Sequence, residues 1–346
     1  MINRLRGQNS NGLILGMPGS GKSFTAKLEM AQAFLSSKQN EIFVIDPQAE
    51  YRPLCEALGG QVIRIAPGSD THINPFDMDI TYDAKDGDDP VTVKSDYICS
   101  ICASAINGRA GLNPIQISVI DRCVRQLYEP YLAHMEELKR RGIKKTCDTN
   151  ASPTFMDFYK ILGRQPGPEA RYIQIAIEKY CQGSYNTFSF RTNVDTQNRF
   201  VTYDIRDIGT GMNEIGMQVC LNDIKNRTIM NRKRNIRTWI YIDELYILTQ
   251  SALCAQQLLY MWKQFRKYGG VPTGITQNVE DLLTNRESRG IINNSPFIVM
   301  LNQSNEDRRE IGSMLHISES QLNYIKNAES GQGLVFCNGA IVPFVN

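Results

Sequence analysis

Histidine is scarce in this chain, with only His72, His134 and His316 among 346 residues. A single Cys-x-x-Cys, Cys99 to Cys102, has no second pair at ligand spacing, so a Cys/His zinc site is not indicated and the pair reads as thiols on a buried helix face. No uninterrupted apolar run approaches the roughly 20 residues that a membrane-spanning helix requires. Charge of either sign is not in excess: 38 basic and 36 acidic residues leave a net charge of +2, so any contact with nucleic acid would have to be local. No secretory signal follows Met1, whose neighbours are the polar INRLRGQNSN. The nine cysteines are odd in number and scattered through hydrophobic segments, which fits a reduced, cytosolic compartment.

What is present is alternation. GLILG is a short apolar strand, and SFTAKLEMAQAFLSS after it places Phe24, Leu28, Ala31 and Leu35 at helical spacing. EIFVID is a second strand ending in Asp46, PQAEYRPLCEAL a turn and helix, and QVIRIA a third strand. Near-continuous apolar strands separated by helices predict a mainly parallel sheet covered on both faces. From about Ile80 an acidic, loop-like entry, TYDAKDGDDP, leads into a hundred residues of helical periodicity, broken at Pro153 and Pro166. The basic run LKRRGIKK ends one of these helices as a solvated face. Strands return at RFVTYDI, RTWIYIDEL, PTGITQ and FIVMLNQ, and GLVFCNG with AIVPF reads as an antiparallel hairpin. The expected organisation is an α/β domain over 1–80 and 200–346, interrupted by an all-α subdomain over 81–199.

Chemistry concentrates at strand ends. GMPGSGKS, Gly16 to Ser23, follows a strand and opens a helix, the setting in which G-x-x-x-x-G-K-[ST] holds phosphate. Gly16, Gly19 and Gly21, with Pro18 and Ser20 between them, let backbone N–H groups wrap the phosphates. Lys22 reaches the terminal ones, Ser23 offers a hydroxyl to Mg²⁺, and Phe24 begins the helix. WIYIDE supplies the second half: Asp243 as the Mg²⁺-associated carboxylate, partly through water, and Glu244 as the residue that polarises attacking water. Gln277, in TGITQN, senses the terminal phosphate or positions water, or else caps the next helical turn. Asp46 and Glu50 in VIDPQAEY carry the same two readings.

Taken in order, GMPGSGKS, VIDPQAEY, INPFD (Ile73 to Asp77), WIYIDE, KQFRKYGG (Lys263 to Gly270), GITQN and GQGLVFCNGAIVPF resemble the type IV secretion and conjugative-transfer ATPases that include TraC, TrbE and CagE, within the FtsK–HerA group of hexameric motors. The resemblance covers both flanks of the chain, and the helical middle matches by position. It implies a RecA-like P-loop NTPase fold with an inserted all-α subdomain, ATP and Mg²⁺ as ligands, and a ring, hexameric in the family, with nucleotide between neighbouring subunits. It also implies that Arg266, or Lys267 beside it, reaches the neighbour's terminal phosphate; a helix-end cation facing the dipole is the plain alternative. Arg308 and Arg309 are further candidates for contacts with nucleotide or a neighbour. Family members usually carry a large amino-terminal domain, so the chain is expected to be the carboxyl-terminal motor of a longer protein at the inner face of the cell membrane.

Three functions compete on this reading. The first is an ATPase energising substrate transfer or pilus assembly in a type IV secretion or conjugation machine, with other machine components, including a coupling protein, as partners. The second is a DNA-translocating motor using cations such as those of NRKRN, Asn231 to Asn235, although the near-neutral charge does not favour it. The third is a nucleotide-switched scaffold with little turnover, which the presence of both Asp243 and Glu244 disfavours.

Overall fold

A computed structural model describes residues 4–7, 9–81, 89–106, 111–277, 279–283, 286–326, 328–337 and 339–345. Most of the acidic entry TYDAKDGDDP and the Asn278 of GITQN lie outside the described residues. The chain divides into two compact units: Met1–Val62, Thr196–Asp204 and Asp223–Asn346 form the first, and Ile63–Asp195 with Ile205–Asn222 the second.

The first unit is organised by a sheet. Its strands in chain order are β1 (Gly12–Leu15), β2 (Asn40–Asp46), β3 (Gln61–Arg64), β4 (Phe200–Asp204), β5 (Arg237–Ile242), β6 (Gly270–Thr276), β7 (Phe297–Met300), β8 (Gln332–Cys337) and β9 (Ala340–Val345). Their order in space is β3-β4-β2-β5-β6-β1-β7-β8-β9. From β4 to β7 every pairing is parallel, whereas β8 and β9 run antiparallel and close the edge as the expected hairpin. The central strands read as near-continuous apolar runs because both faces are covered, and every residue of β1, β2 and β6 is buried.

The helix Lys22–Ser36 lays Ala26, Met30 and Ala33 against Ile14, Ile42, Val44 and Ile275 of the sheet. This corrects the face expected from periodicity. Phe24, Leu28 and Leu35 also recur at helical spacing, but they are 61%, 38% and 73% exposed. A helix that starts directly from a tight loop on β1 comes close to the sheet, and the small Ala26 and Ala33 fit that approach better than Phe24 or Leu35 would.

The second unit is helical. Its helices Pro90–Ile106, Pro114–Arg140, Phe155–Leu162 and Pro168–Cys181 start where local chemistry dictates. Asn113 and Thr154 each form a reciprocal capping box, and Pro114 and Pro168 occupy first-turn positions where no backbone donor is lost. The unit runs from Ile63 to Asp195 and takes in Ile205–Asn222, so it includes INPFD, which the expected 81–199 leaves in the α/β domain. The Phe76 ring lies 5.6 Å from those of Phe155 and Phe158, and Lys94 Nζ donates to the carbonyls of Pro75 (2.9 Å) and Asp77 (2.7 Å). Cys102 is buried on the first of these helices and Cys99 is half-buried, its thiol pushed up to about 12 by burial, so both stay protonated. Among the described residues no group of His, Cys, Asp and Glu is placed to hold a metal ion, and no helix is long and apolar enough to cross a membrane.

Candidate functional site

The parallel pairing brings the carboxyl ends of β1, β2, β5, β6 and β7 to one edge, and the motifs meet there. The loop Gly16–Gly21 hangs between two neighbours: Gly16 N–H donates to the Thr276 carbonyl at the end of β6 (3.3 Å), and Met17 N–H to the Asn302 carbonyl beyond β7 (2.8 Å). Gly19 and Gly21 have φ of 76° and 96°, which L side chains rarely adopt. A Cβ on Gly16 would stand 2.5 Å from Ser20 Oγ and 2.9 Å from Leu301 Cβ. The carboxyl-terminal GQG closes over the same loop, with Gly331 N–H donating to the Ser20 carbonyl at 3.1 Å. Pro18 is exposed in the loop, and Phe24 is exposed on the first helical turn.

Lys22 is buried and donates from Nζ to the Met17 carbonyl at 3.1 Å. Burial lowers its pKa, and the nearby Glu244, Asp243 and Glu50 carboxylates act in the opposite direction. With the free N–H groups of the helix start beside it, this is an anion site by dipole and by charge.

Opposite the loop, β5 ends at Ile242 and the acid pair follows. Asp243 N–H donates to the Ile45 carbonyl at 3.1 Å, which fixes the pair beside β2. Both carboxyls are buried; burial first, and then Glu244, pushes Asp243 up to about 7. Glu244 sits at φ 45° and ψ 50°, a left-handed conformation that costs a non-glycine residue roughly 1–3 kcal/mol and that is retained here by the contacts around it. Its N–H donates to Asp243 Oδ1 at 3.0 Å. Its Oε1 accepts from Gln48 Nε2 at 2.8 Å and from Gln277 Nε2, while Oε2 is buried with no hydrogen-bond partner. Two amides therefore aim one carboxylate and leave an oxygen for a further donor.

Asp46 has no exposure and accepts the backbone N–H groups of Glu50 (3.1 Å) and Tyr51 (2.9 Å). It shapes the turn after β2, in which Ala49 has φ 57°. That turn delivers Gln48 to Glu244, sets Glu50 within electrostatic reach of Lys22 and Asp243, and buries Tyr51. Neither Gln48 nor Tyr51 is singled out by sequence reasoning. The only available signal is their place in VIDPQAEY, directly after a strand that ends in acid.

The candidate cations divide by edge. Arg266 and Lys267 lie exposed on the short turn Phe265–Tyr268, immediately before β6 begins. The seven residues of β6 separate them from the loop by roughly 20 Å. Arg308 and Arg309 belong to the helix Asn305–Leu315 that follows β7, on the loop's own edge. Arg308 donates to Asn305 Oδ1, and Arg309 is exposed. In NRKRN, Asn231 is fully buried and donates to Glu41 Oε2 (2.7 Å), whereas positions 232–235 are exposed.

The residues fit Mg²⁺ with nucleotide. A serine hydroxyl and one carboxylate are hard oxygen donors, and Mg²⁺ takes one or two such ligands and completes its shell with phosphate and water. The unpartnered Glu244 Oε2 and Tyr51 hydroxyl are buried polar groups that a hydrated cation beside phosphate would satisfy.

The TraG P-loop domain family matches residues 171–332, and the central domain of helicase HerA matches residues 11–85. No curated protein matches the chain. Among solved structures, VirB4 of Thermoanaerobacter pseudethanolicus superposes with a TM-score of 0.77 at 23% identity, covering 100% of this chain and 92% of that one. The bacterial conjugative coupling protein TrwB with sulphate gives 0.61 at 14% identity over 97% of this chain and 85% of its own. TrwB in complex with ADP and Mg²⁺ gives 0.59 at 15% over 96% and 84%. Residues 171–332 are thus similar to the TraG P-loop domain and residues 11–85 to the HerA central domain, and the likeness to the solved structures shows a RecA-like P-loop NTPase fold.

Proposed function

We propose that this chain is an ATP-hydrolysing motor domain that energises substrate transfer or pilus assembly in a type IV secretion or conjugation system. One observation carries the reading: Glu244 is buried at the end of β5, held by the amides of Gln48 and Gln277, in the electrostatic field of Lys22 and beside Asp243. A scaffold that only binds nucleotide has no need of a strained, doubly held carboxylate beside the metal position. The likeness to VirB4 and TrwB supports the choice of machine.

Each residue then has a task. The N–H groups of Gly19, Gly21 and the helix start, with the Lys22 ammonium, bind the phosphates and neutralise charge that develops on them. Ser23 and Asp243 would hold Mg²⁺, which would supply electrostatic stabilisation of the charge on the phosphates. Glu244 accepts a hydrogen bond from the attacking water and orients it in line, while Gln277 and Gln48 keep that carboxylate from turning away. Arg266 is assigned to a neighbouring subunit's site, since it stands at the far edge of its own sheet, and Lys267 is the substitute. The working form is therefore a ring, taken as a hexamer, at the inner face of the cell membrane with other secretion components, a coupling protein among them.

Steady-state ATP hydrolysis over a series of protein concentrations tests this. Turnover should require Mg²⁺ and should fall by about 100-fold or more in Lys22→Ala. Equal turnover in wild type and Lys22→Ala would contradict the assignment.

A further inference from the structure

The turn after β2 also holds a side chain for which the fold offers no use. Tyr51 has no solvent exposure, and its hydroxyl is buried with no hydrogen bond of good geometry, the Ser23 side chain being the hydrogen-bonding group nearest to it. Its backbone N–H is fixed on Asp46 Oδ2 at 2.9 Å, and Lys27, one helical turn beyond Ser23, stands 5.5 Å from its ring centroid. The groups acting on the hydroxyl come from three elements: Asp243 from the end of β5, Asp46 and Glu50 from its own turn, and Ser23 from the start of the loop helix. Burial, reinforced by the three carboxylates, keeps the phenol protonated, so it offers one donor and an acceptor oxygen. Phenylalanine would fill the same volume without an unsatisfied polar atom, and packing alone does not account for tyrosine here.

We infer that Tyr51 is a positioning residue for the water shell of the bound cation. Its hydroxyl, close to Asp243 and Ser23, would give or take a hydrogen bond with water that the cation holds there. Such outer contacts orient ligands and raise metal affinity without touching the ion. The inference rests on the reading of this edge as a Mg²⁺–nucleotide site.

Binding of a fluorescent ADP, measured with Mg²⁺ and in excess EDTA, tests it in wild type and Tyr51→Phe, with thermal unfolding of both proteins alongside. The expected result is that Tyr51→Phe keeps the EDTA affinity within about twofold and loses about tenfold of the gain that Mg²⁺ provides. Its unfolding temperature should equal or exceed that of wild type, because an unsatisfied hydroxyl has gone. Mn²⁺ titration of the ADP complexes, followed by electron paramagnetic resonance, should report the same tenfold loss, a readout that a packing role would not move. Equal Mg²⁺ dependence in the two proteins overturns the role of Tyr51 and leaves the nucleotide site standing. Absence of any Mg²⁺ dependence in wild type overturns the nucleotide reading, and this inference with it.

Discussion

Glu41 lies near the start of β2 with its carboxylate inside the protein, and Arg227 answers it. The guanidinium donates from Nε and Nη2 to the two oxygens at 2.7 and 2.8 Å, and Asn231 adds a third donor at 2.7 Å. Both partners are less than a tenth exposed. Removing one half of such a pair leaves an uncompensated buried charge, so Arg227→Met should lose about 3–5 kcal/mol in urea unfolding, and adding Glu41→Met should recover most of it. In the helical unit, Asp148 accepts from His134 Nε2 (3.0 Å) and Lys145 Nζ (2.9 Å), and these partners hold its carboxyl down to about 2. A carboxyl whose folded pKa is depressed contributes stability above its ordinary value near 3.8, and that contribution is lost as pH falls through about 2. Melting curves from pH 5 to pH 2 should therefore flatten in Asp148→Asn. At this scale Lys22, Asp243 and Glu244 were legible because their chemistry requires contiguous residues at a strand end. Gln48 and Tyr51 were not, since their use depends on β2 lying beside β5, a pairing no local pattern encodes.

Among elements, the phosphate loop is the most constrained. Gly21 has φ 96°, and a Cβ there would also stand 3.0 Å from the Gly331 backbone nitrogen. Gly21→Ala should cost about 1–2 kcal/mol of stability and weaken nucleotide binding more than that, because the strained start of the helix is itself the anion site. Differential scanning calorimetry with and without ADP would separate the two effects. The helices of the second unit were readable because caps and prolines mark their starts. The face that the helix Lys22–Ser36 presents to the sheet was not, because two helical series overlap in its sequence and only the closeness of the sheet selects the smaller one. Strand order was equally hidden: β1 sits between β6 and β7, more than 250 residues away in sequence, and periodicity carries no information about such pairings.

For the whole molecule, the trans-acting role proposed for Arg266 makes assembly part of the chemistry. Turnover per subunit should rise with protein concentration, and Arg266→Ala should remove that rise while leaving nucleotide affinity within about twofold, as a trans-acting cation implies. Full activity of assembled Arg266→Ala would assign the role elsewhere, and Arg308, on the loop's own edge, would then be the residue to substitute. The central claim, that the carboxylate at the end of β5 drives hydrolysis, is tested most directly by Glu244→Gln. Glutamine keeps the size of the side chain and removes its charge. ATP binding and single-turnover hydrolysis measured on the same preparation should show affinity within a few-fold of wild type and a hydrolysis rate lower by about 100-fold or more. Hydrolysis at the wild-type rate in a variant that binds ATP normally would contradict the account.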